Sequence, residues 1–146
     1  MKILLAVDES AIGAAAVRHV AKLAKALKAT PQLYVLNVVP RLSKAAEKEF
    51  GKAGPDRYYQ AQFEAALAPL RPLLKRTRLP FQERTATGDI VPTLLAEAKA
   101  AKADMIVIGS HGHGWLKRVL MGSVSTHVLH HAPCPVLVIR TDDPDA

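Results

Sequence analysis

Short runs of Val, Ile and Leu alternate along the chain with longer segments in which apolar residues recur every three or four positions. The short runs are typical of strands buried on both faces of a parallel sheet. The longer segments are typical of helices that bury one face. Strands are therefore predicted at residues 3–7, 32–39, 104–109 and 136–139, and the alternating segment 81–87 is predicted to be a further, less buried strand.

Helices are predicted between these strands. The first has an apolar stripe and runs from residue 12 to 29, after a turn and N-cap supplied by Asp8, Glu9 and Ser10. A second spans residues 59–74 and is bent or shortened by two prolines, a third follows Gly88 with Pro92 in its first turn, and a fourth spans 123–131. The polar segment 41–56 is expected to be a mobile connection with one helical turn.

The alternation of strands and helices predicts the fold class. Parallel strands joined by helices imply an α/β architecture with helices on both faces of the sheet and right-handed crossovers. A chain of 146 residues, 49% of them hydrophobic, fits one domain spanning residues 1–146. In such sheets, ligands bind beyond the carboxyl ends of strands, where the strand order reverses.

The segment 109–125, GSHGHGWLKRVLMGSVS, lies between a predicted strand and a predicted helix. Its glycines let the backbone approach phosphate oxygens, and the helix that follows presents backbone N–H groups and the positive end of its dipole. Ser123 and Ser125 add hydroxyl donors. The pattern therefore favours phosphate binding, and the competing interpretation is an ordinary flexible loop before a helix.

The spacing of this segment resembles the nucleotide signature of the ATP-binding branch of the universal stress protein family. That signature is Gly, two residues, Gly, nine residues, Gly-Ser, and here it reads Gly109, Gly112, Gly122 and Ser123. The first strand and its Asp8 (KILLAVDES) and the last strand (HAPCPVLVIR) also resemble the family, so the likeness covers the whole chain. The resemblance implies a five-stranded parallel sheet of order 3-2-1-4-5, Rossmann-like, which places strands one and four side by side.

The resemblance also implies a set of ligand-binding residues. Asp8 is expected to accept hydrogen bonds from the nucleoside, although it could equally be a turn residue. The expected ligand is ATP with a magnesium ion carried on its phosphates. The resemblance assigns the adenine slot to Ala6, Val38 and Ile108. It assigns the contacts with ribose and the α-phosphate to Gly109 and Gly112. The contacts with the outer phosphates are assigned to Gly122, Ser123, Val124 and Ser125.

Charge and composition narrow the classes of partner. The net charge of +7 would attract polyanions. The basic clusters near residues 22–28 and 75–78 are interpreted as solvated helix surfaces, and nucleic acid is not expected to be the main partner. No apolar run is long enough to cross a bilayer, and the first residues do not resemble a signal peptide. A cytoplasmic protein with one packed, inert thiol at Cys134 is expected.

Other functions remain open at this stage. His111 and His113 lack the cysteine or carboxylate partners of a zinc site, so no transition-metal site is expected. Lys117 and Arg118 could neutralise phosphate or simply be exposed, and Trp115 could cover the pocket or pack. The chain lacks the residues of a Walker motif and of a response-regulator phosphoacceptor. A regulatory ATP binder with at most slow hydrolysis or autophosphorylation is expected, and the alternative is a nucleotidyl transferase or phosphatase using Asp8 or His111.

The last strand predicts an assembly. Residues 136–139 are uninterruptedly apolar, yet the implied strand order leaves this strand at an edge of the sheet. Pairing with the same strand of a second copy would satisfy its open backbone groups, so a homodimer through the fifth strand is expected.

Overall fold

A twisted parallel sheet organises the protein, described here from a computed structural model for residues 1–110 and 123–140. Within these residues the sheet has five strands in the order β3-β2-β1-β4-β5. All neighbouring strands pair in parallel, which confirms the predicted fold class and strand order. The strands are β1 (Lys2–Ala6), β2 (Gln32–Val39), β3 (Phe81–Thr87), β4 (Met105–Gly109) and β5 (Val136–Ile139).

Helices cover both faces of the sheet and create two apolar cores. One core contains buried residues of the first helix and of the chain between β2 and β3, and the other contains residues of the last two helices. No helix among the described residues is long and apolar enough to cross a membrane. The helices are α1 (Ile12–Ala26), α2 (Lys44–Phe50), α3 (Gly54–Leu67), α4 (Arg71–Thr77), α5 (Ile90–Ala101) and α6 (Ser123–His131).

The segment 41–56 was predicted to be a connection with one helical turn, and this prediction was wrong. It contains the whole of α2 and the start of α3. The Ser43 hydroxyl accepts a hydrogen bond from the Ala46 N–H at 3.2 Å, which caps the start of α2. Gly51, with φ of 70°, ends that helix, and Pro55 lies in the first turn of the next. Local capping therefore forms two helices where an apolar stripe gave little indication of them.

The prolines of the second predicted helix do shorten it, as expected. Helix α3 ends at Leu67, a 3₁₀ turn at Ala68–Leu70 contains Pro69, and α4 begins at Arg71. Helix α1 also ends earlier than predicted, because Leu27 is already extended. The predicted N-cap of α1 was wrong as well: Ala11 occupies that position without a side-chain hydrogen bond.

Two helices end on residues with left-handed backbone conformations. Arg78 follows α4 with φ of 59°, and Lys102 follows α5 with φ of 51°. Neither residue is a glycine, although glycine adopts this conformation at least cost.

The edge strand β3 is tied to the helices beside it by ion pairs. Arg71, in the first turn of α4, donates to both carboxylate oxygens of Glu83 in β3, at 2.8 and 2.9 Å. It also donates to both oxygens of Glu64 in α3, at 2.7 and 2.8 Å. On the other face of the same strand, Arg84 stacks on the Tyr34 ring and pairs with Glu97 of α5. This edge of the sheet is therefore polar.

Candidate functional site

The ends of β1 and β4 meet where the strand order reverses. Leu5 pairs with Val107 in the parallel register, and Asp8 and Ser110 each lie three residues further along the chain, after the ends of β1 and β4. Since β2 lies on one side of β1 and β4 on the other, the connections that follow β1 and β4 leave the sheet in different directions here. This arrangement opens a crevice of the kind in which α/β proteins bind ligands.

Asp8 is held in the turn that leaves β1. Its Oδ1 accepts hydrogen bonds from the Ser10 N–H, at 2.9 Å, and from the Ser10 hydroxyl. The chain just before it is fixed to β2, because the Val7 N–H donates to the Leu36 carbonyl at 2.9 Å. The carboxylate is half-buried, which leaves part of it available to a ligand. Asp8 is thus a turn residue, and the predicted contact with a nucleoside is compatible with that position.

Asn37 is a polar residue of this region that the sequence reasoning missed. Its Nδ2 donates to the Val7 carbonyl at 2.8 Å, which fastens β2 to the turn that carries Asp8. The residue is only 5% exposed, and its Oδ1 has no hydrogen-bond partner among the described residues. The sequence did contain a signal for Asn37, because it is an amide side chain inside the apolar run of β2. Buried polar groups usually have a specific hydrogen-bond partner.

The three apolar residues assigned to the adenine slot share one face of the sheet. Ala6, Val38 and Ile108 all belong to the core beneath α5 and α6. Ala6 and Val38 are only partly buried, at the ends of β1 and β2, whereas Ile108 is 3% exposed. The structure therefore brings these residues to the same face of the sheet, with Ile108 the most buried of the three.

The first turn of α6 is anchored to the end of β4. The Ser125 hydroxyl donates to the Gly109 carbonyl at 2.7 Å, and Ser125 is 4% exposed. Beside it, the Ser110 N–H donates to the Ile139 carbonyl at 2.8 Å, which connects the same point to β5. These bonds hold the first turn of α6 beside the end of β4. The first N–H groups of any helix lack intrahelical acceptors, so this end attracts anions.

The structure describes only some of the remaining residues of the predicted site. Ser123 is exposed at the start of α6, and Val124 is half-buried against the core. Gly112 and Gly122 lie outside the described residues. The loop residues whose roles were left open also lie outside the described residues; they are His111, His113, Trp115, Lys117 and Arg118.

The chemistry available in the described part of the crevice is that of binding. Its acidic side chains come from the β1–α1 turn, and the described residues contain no group of three histidine, cysteine or acidic side chains that could hold a metal ion. The Cys134 thiol lies at the opposite end of the sheet, before β5, where burial, followed by the charge of Asp104, raises its pKa.

Comparisons with known proteins agree with this geometry. A family model described as the universal stress protein family matches residues 1–140. A universal stress protein of Methanocaldococcus jannaschii is 28% identical over 140 residues, which are 95% of this chain and 81% of the relative. The chain is thus similar to these proteins along nearly its whole length.

Solved structures are similar in the same way. Universal stress protein UspA from Lactobacillus plantarum is 27% identical, with a TM-score of 0.74 over 96% of this chain and 97% of the other. A universal stress protein from Archaeoglobus fulgidus, solved in complex with dAMP, is 20% identical, with a TM-score of 0.69 over 95% and 97% of the two chains. At that identity the second likeness concerns the fold.

Proposed function

Because the chain belongs to the universal stress protein family, we propose that it is a regulatory nucleotide binder of the stress response whose ligand is ATP. The observation that carries this proposal is that Asp8 follows β1 while the first turn of α6 is anchored to the end of the neighbouring strand β4, at the reversal of strand order. One side of that crevice offers a carboxylate for hydroxyl or amino groups, and the other offers N–H groups for phosphate. A nucleotide presents both kinds of group.

The apolar side of the crevice supports an adenine base as the remaining part of the ligand. Ala6 and Val38 present partly exposed apolar surface, and Ile108 lies beneath them. A flat, uncharged heteroaromatic ring can cover this apolar surface, and it brings no charged group that would need a partner there. The dAMP complex of the Archaeoglobus relative is consistent with an adenine nucleotide. The glycines of the 109–125 signature and magnesium on the phosphates complete the proposed ATP site.

The same site argues against rapid catalysis. The acidic groups that it offers among the described residues are in the β1–α1 turn, and the Asp8 carboxylate already accepts two hydrogen bonds there. General acid–base catalysis needs a group positioned to exchange a proton with the substrate. We therefore propose at most slow hydrolysis or autophosphorylation, by one domain spanning residues 1–146 in the cytoplasm.

Isothermal titration with ATP tests the proposal. The Asp8→Asn variant keeps an oxygen that can accept from Ser10 but loses the negative charge that a ligand hydroxyl or amino group would meet. We expect it to bind ATP at least about tenfold more weakly, because a charge-assisted hydrogen bond contributes about 1.5–3 kcal/mol. Asp89→Asn is the matched control: Asp89 is exposed and follows the edge strand β3, two strands away from β1.

The outcomes separate the proposal from its alternatives. Equal ATP affinity in the Asp8→Asn variant and the wild type would remove the proposed site, and so would a wild type that binds no ATP. Mass spectrometry of the purified protein should also find a co-purified adenine nucleotide. Steady-state phosphate release near the ~10 per second typical of enzymes would favour the alternative of a nucleotide-processing enzyme.

A further inference from the structure

Two basic segments that are far apart in the sequence lie side by side at the end of the sheet where its strands begin. Helices α1 and α4 lie on the same face, since both contribute to the same core through Val20 and Leu74. Each helix is followed directly by a strand, β2 after α1 and β3 after α4. These strands pair with Leu33 opposite Phe81, so the carboxyl-terminal ends of the two helices lie next to each other.

The side chains at this place form a surface that we call the basic edge. All its cations are exposed, and the sequence has no Asp or Glu between Glu9 and Glu47 or between Glu64 and Glu83. The ion pairs of the described residues involve only Arg71 and Arg84. The cations of the basic edge therefore lack carboxylates within ion-pair distance in the described part of the chain. The surface consists of Lys22, Lys25, Lys28, Lys75, Arg76 and Arg78.

The sequence alone led us to interpret the two clusters as solvated helix surfaces, but since they lie side by side we propose that the basic edge docks the phosphate backbone of a nucleic-acid duplex, independently of base sequence. A duplex backbone is a regular row of negative charges, and neutralising it with Lys and Arg releases condensed counterions. Cations from two adjacent helices can reach several phosphates at once. The basic edge lies at the opposite end of the sheet from the crevice, so nucleotide binding does not obstruct it.

The composition of the basic edge favours a duplex over other polyanions. The large exposed apolar side chains of the described residues are Met1, Phe50 and Leu129; of these three, Met1 lies at this end of the sheet, before β1, and none belongs to α1 or α4. A membrane-bound helix inserts such side chains below the lipid headgroups. A protein interface needs a buried aromatic or aliphatic centre, and single-stranded nucleic acid needs aromatic rings on which bases stack. Phosphate contacts require only the cations that are present.

Fluorescence anisotropy with a short DNA duplex tests the proposal. Six phosphate contacts should give a log–log dependence of affinity on salt with a slope of roughly minus five between about 50 and 200 mM. Replacing four cations (Lys25→Gln, Lys28→Gln, Lys75→Gln, Arg76→Gln) should weaken binding at least about 100-fold at the lowest salt and flatten that slope.

The matched control has the same net charge but keeps the basic edge. It replaces four exposed cations around α2 (Arg41→Gln, Lys44→Gln, Lys48→Gln, Lys52→Gln), which follow the carboxyl end of β2. We expect it to bind the duplex within about threefold of the wild type, because salt screens distant charges. The edge variant should bind ATP like the wild type, so this test is independent of the nucleotide site.

The results also identify the other roles that the basic edge could have. Equal loss of duplex affinity in the two quadruple variants would overturn the proposal. Binding would then depend on the net charge of the protein, and the cations of the basic edge would serve only to stabilise their own helix dipoles. A wild type that binds no duplex at about 50 mM salt, or that binds phosphatidylserine vesicles more tightly than the duplex, would also overturn it.

Chemical acetylation provides a measurement on the unmodified protein, in case the edge variant does not fold. Bound duplex should protect Lys25, Lys28 and Lys75 from the reagent, as read by mass spectrometry, and leave Lys44 and Lys48 reactive. Uniform protection, or none, would contradict the proposal.

Discussion

At the scale of single residues, buried polar side chains at the crevice bind backbone groups of a neighbouring strand. Ser125 donates to the carbonyl of Gly109, and Asn37 donates to the carbonyl of Val7. Carbonyls at the ends of strands have left the ladder of the sheet, and a buried carbonyl needs a donor. These two side chains therefore hold together the loops that would carry a ligand.

The Ser125→Ala variant should destabilise the fold by about 0.5–1.5 kcal/mol, because it removes the hydrogen bond to the half-buried Gly109 carbonyl. Urea unfolding followed by circular dichroism measures this change. Ser125→Thr keeps the hydroxyl and should recover much of the loss. Ser123→Ala, at an exposed position of the same helix, should change stability by less than about 0.5 kcal/mol. A Ser125→Ala variant as stable as the wild type would show that the hydrogen bond contributes nothing.

Sequence reasoning found Ser125 but not its contact. The spacing of glycine and serine indicated a hydroxyl close to phosphate, whereas the structure shows the hydroxyl turned toward Gly109, sixteen residues earlier in the chain. Only the packing of α6 against β4 creates that contact. Asn37 was missed for the related reason that its partner belongs to another strand.

At the scale of elements, α4 is a short helix whose position depends on charge as well as on burial. Leu74 is its buried side chain, while Arg71 joins it to α3 and to β3. The guanidinium is a planar fork that can serve two carboxylates with paired hydrogen bonds. One residue thus fixes three elements relative to one another.

Replacing Arg71 with Met should lower the urea midpoint at neutral pH, and the loss should depend on pH. Arg71 holds the pKa of Glu64 below its ordinary value of 4.5. A depressed folded-state pKa adds stability above the unfolded pKa, and this stability disappears as the pH falls through the folded value. The difference between wild type and variant should therefore shrink below about pH 4.5.

Arg57→Met, which removes an exposed arginine of α3, is the control for the loss of one positive charge. The network would have no role in stability if the two variants unfolded alike at every pH.

Elements with a strong periodic pattern were predicted well, and those that depend on caps were not. The bounds of β2 and β5 agree with the apolar runs, and those of β3 agree with the alternating segment 81–87. Helix α2 has no buried residue, so no apolar stripe could reveal it. Its start depends on one hydrogen bond from Ser43, which is a weaker signal than a hydrophobic face.

At the scale of the whole molecule, the two edges of the sheet differ in character. Strand β3 carries Glu83 and Arg84, both engaged in ion pairs. Strand β5 carries only apolar side chains, and three of its four residues are partly exposed. Charged edges discourage pairing with another chain, whereas apolar edges invite it. This contrast supports our proposal that two copies associate through β5.

Backbone geometry gives a selective test of that dimer. Pro135 and Ile139 direct their carbonyls to β4, at 2.9 and 2.8 Å from the donors, so by alternation Val136 and Val138 direct their backbone groups to the open edge. The Val138→Pro variant removes one outward N–H without removing a bond to β4. Sedimentation equilibrium should show a dimer for the wild type and a monomer for this variant.

The control Val138→Ala shortens the side chain but keeps the N–H, and it should remain a dimer. A monomeric wild type at micromolar concentration would end the proposal, and so would a dimeric Val138→Pro protein.

The ordering of the strands was available from the sequence only through a family resemblance. Alternating patterns predict parallel strands, but they do not say which strands are neighbours. Burial of β1 and β4 on both faces is compatible with several orders, and the crossover that reverses direction after β3 fixes the actual one. The joining of α1 and α4 into one basic surface followed from that order and could not be read from either segment.

The left-handed residues that end α4 and α5 also bear on heat resistance. An L-residue in this conformation costs roughly 1–2 kcal/mol relative to a right-handed one, and glycine avoids most of that cost. Arg78 and Lys102 thus represent an unused reserve of thermal stability. Laboratory selection for heat resistance alone would be expected to collect glycine at both positions. Selection that also required the basic edge would be expected to accept glycine at Lys102 and to keep Arg78.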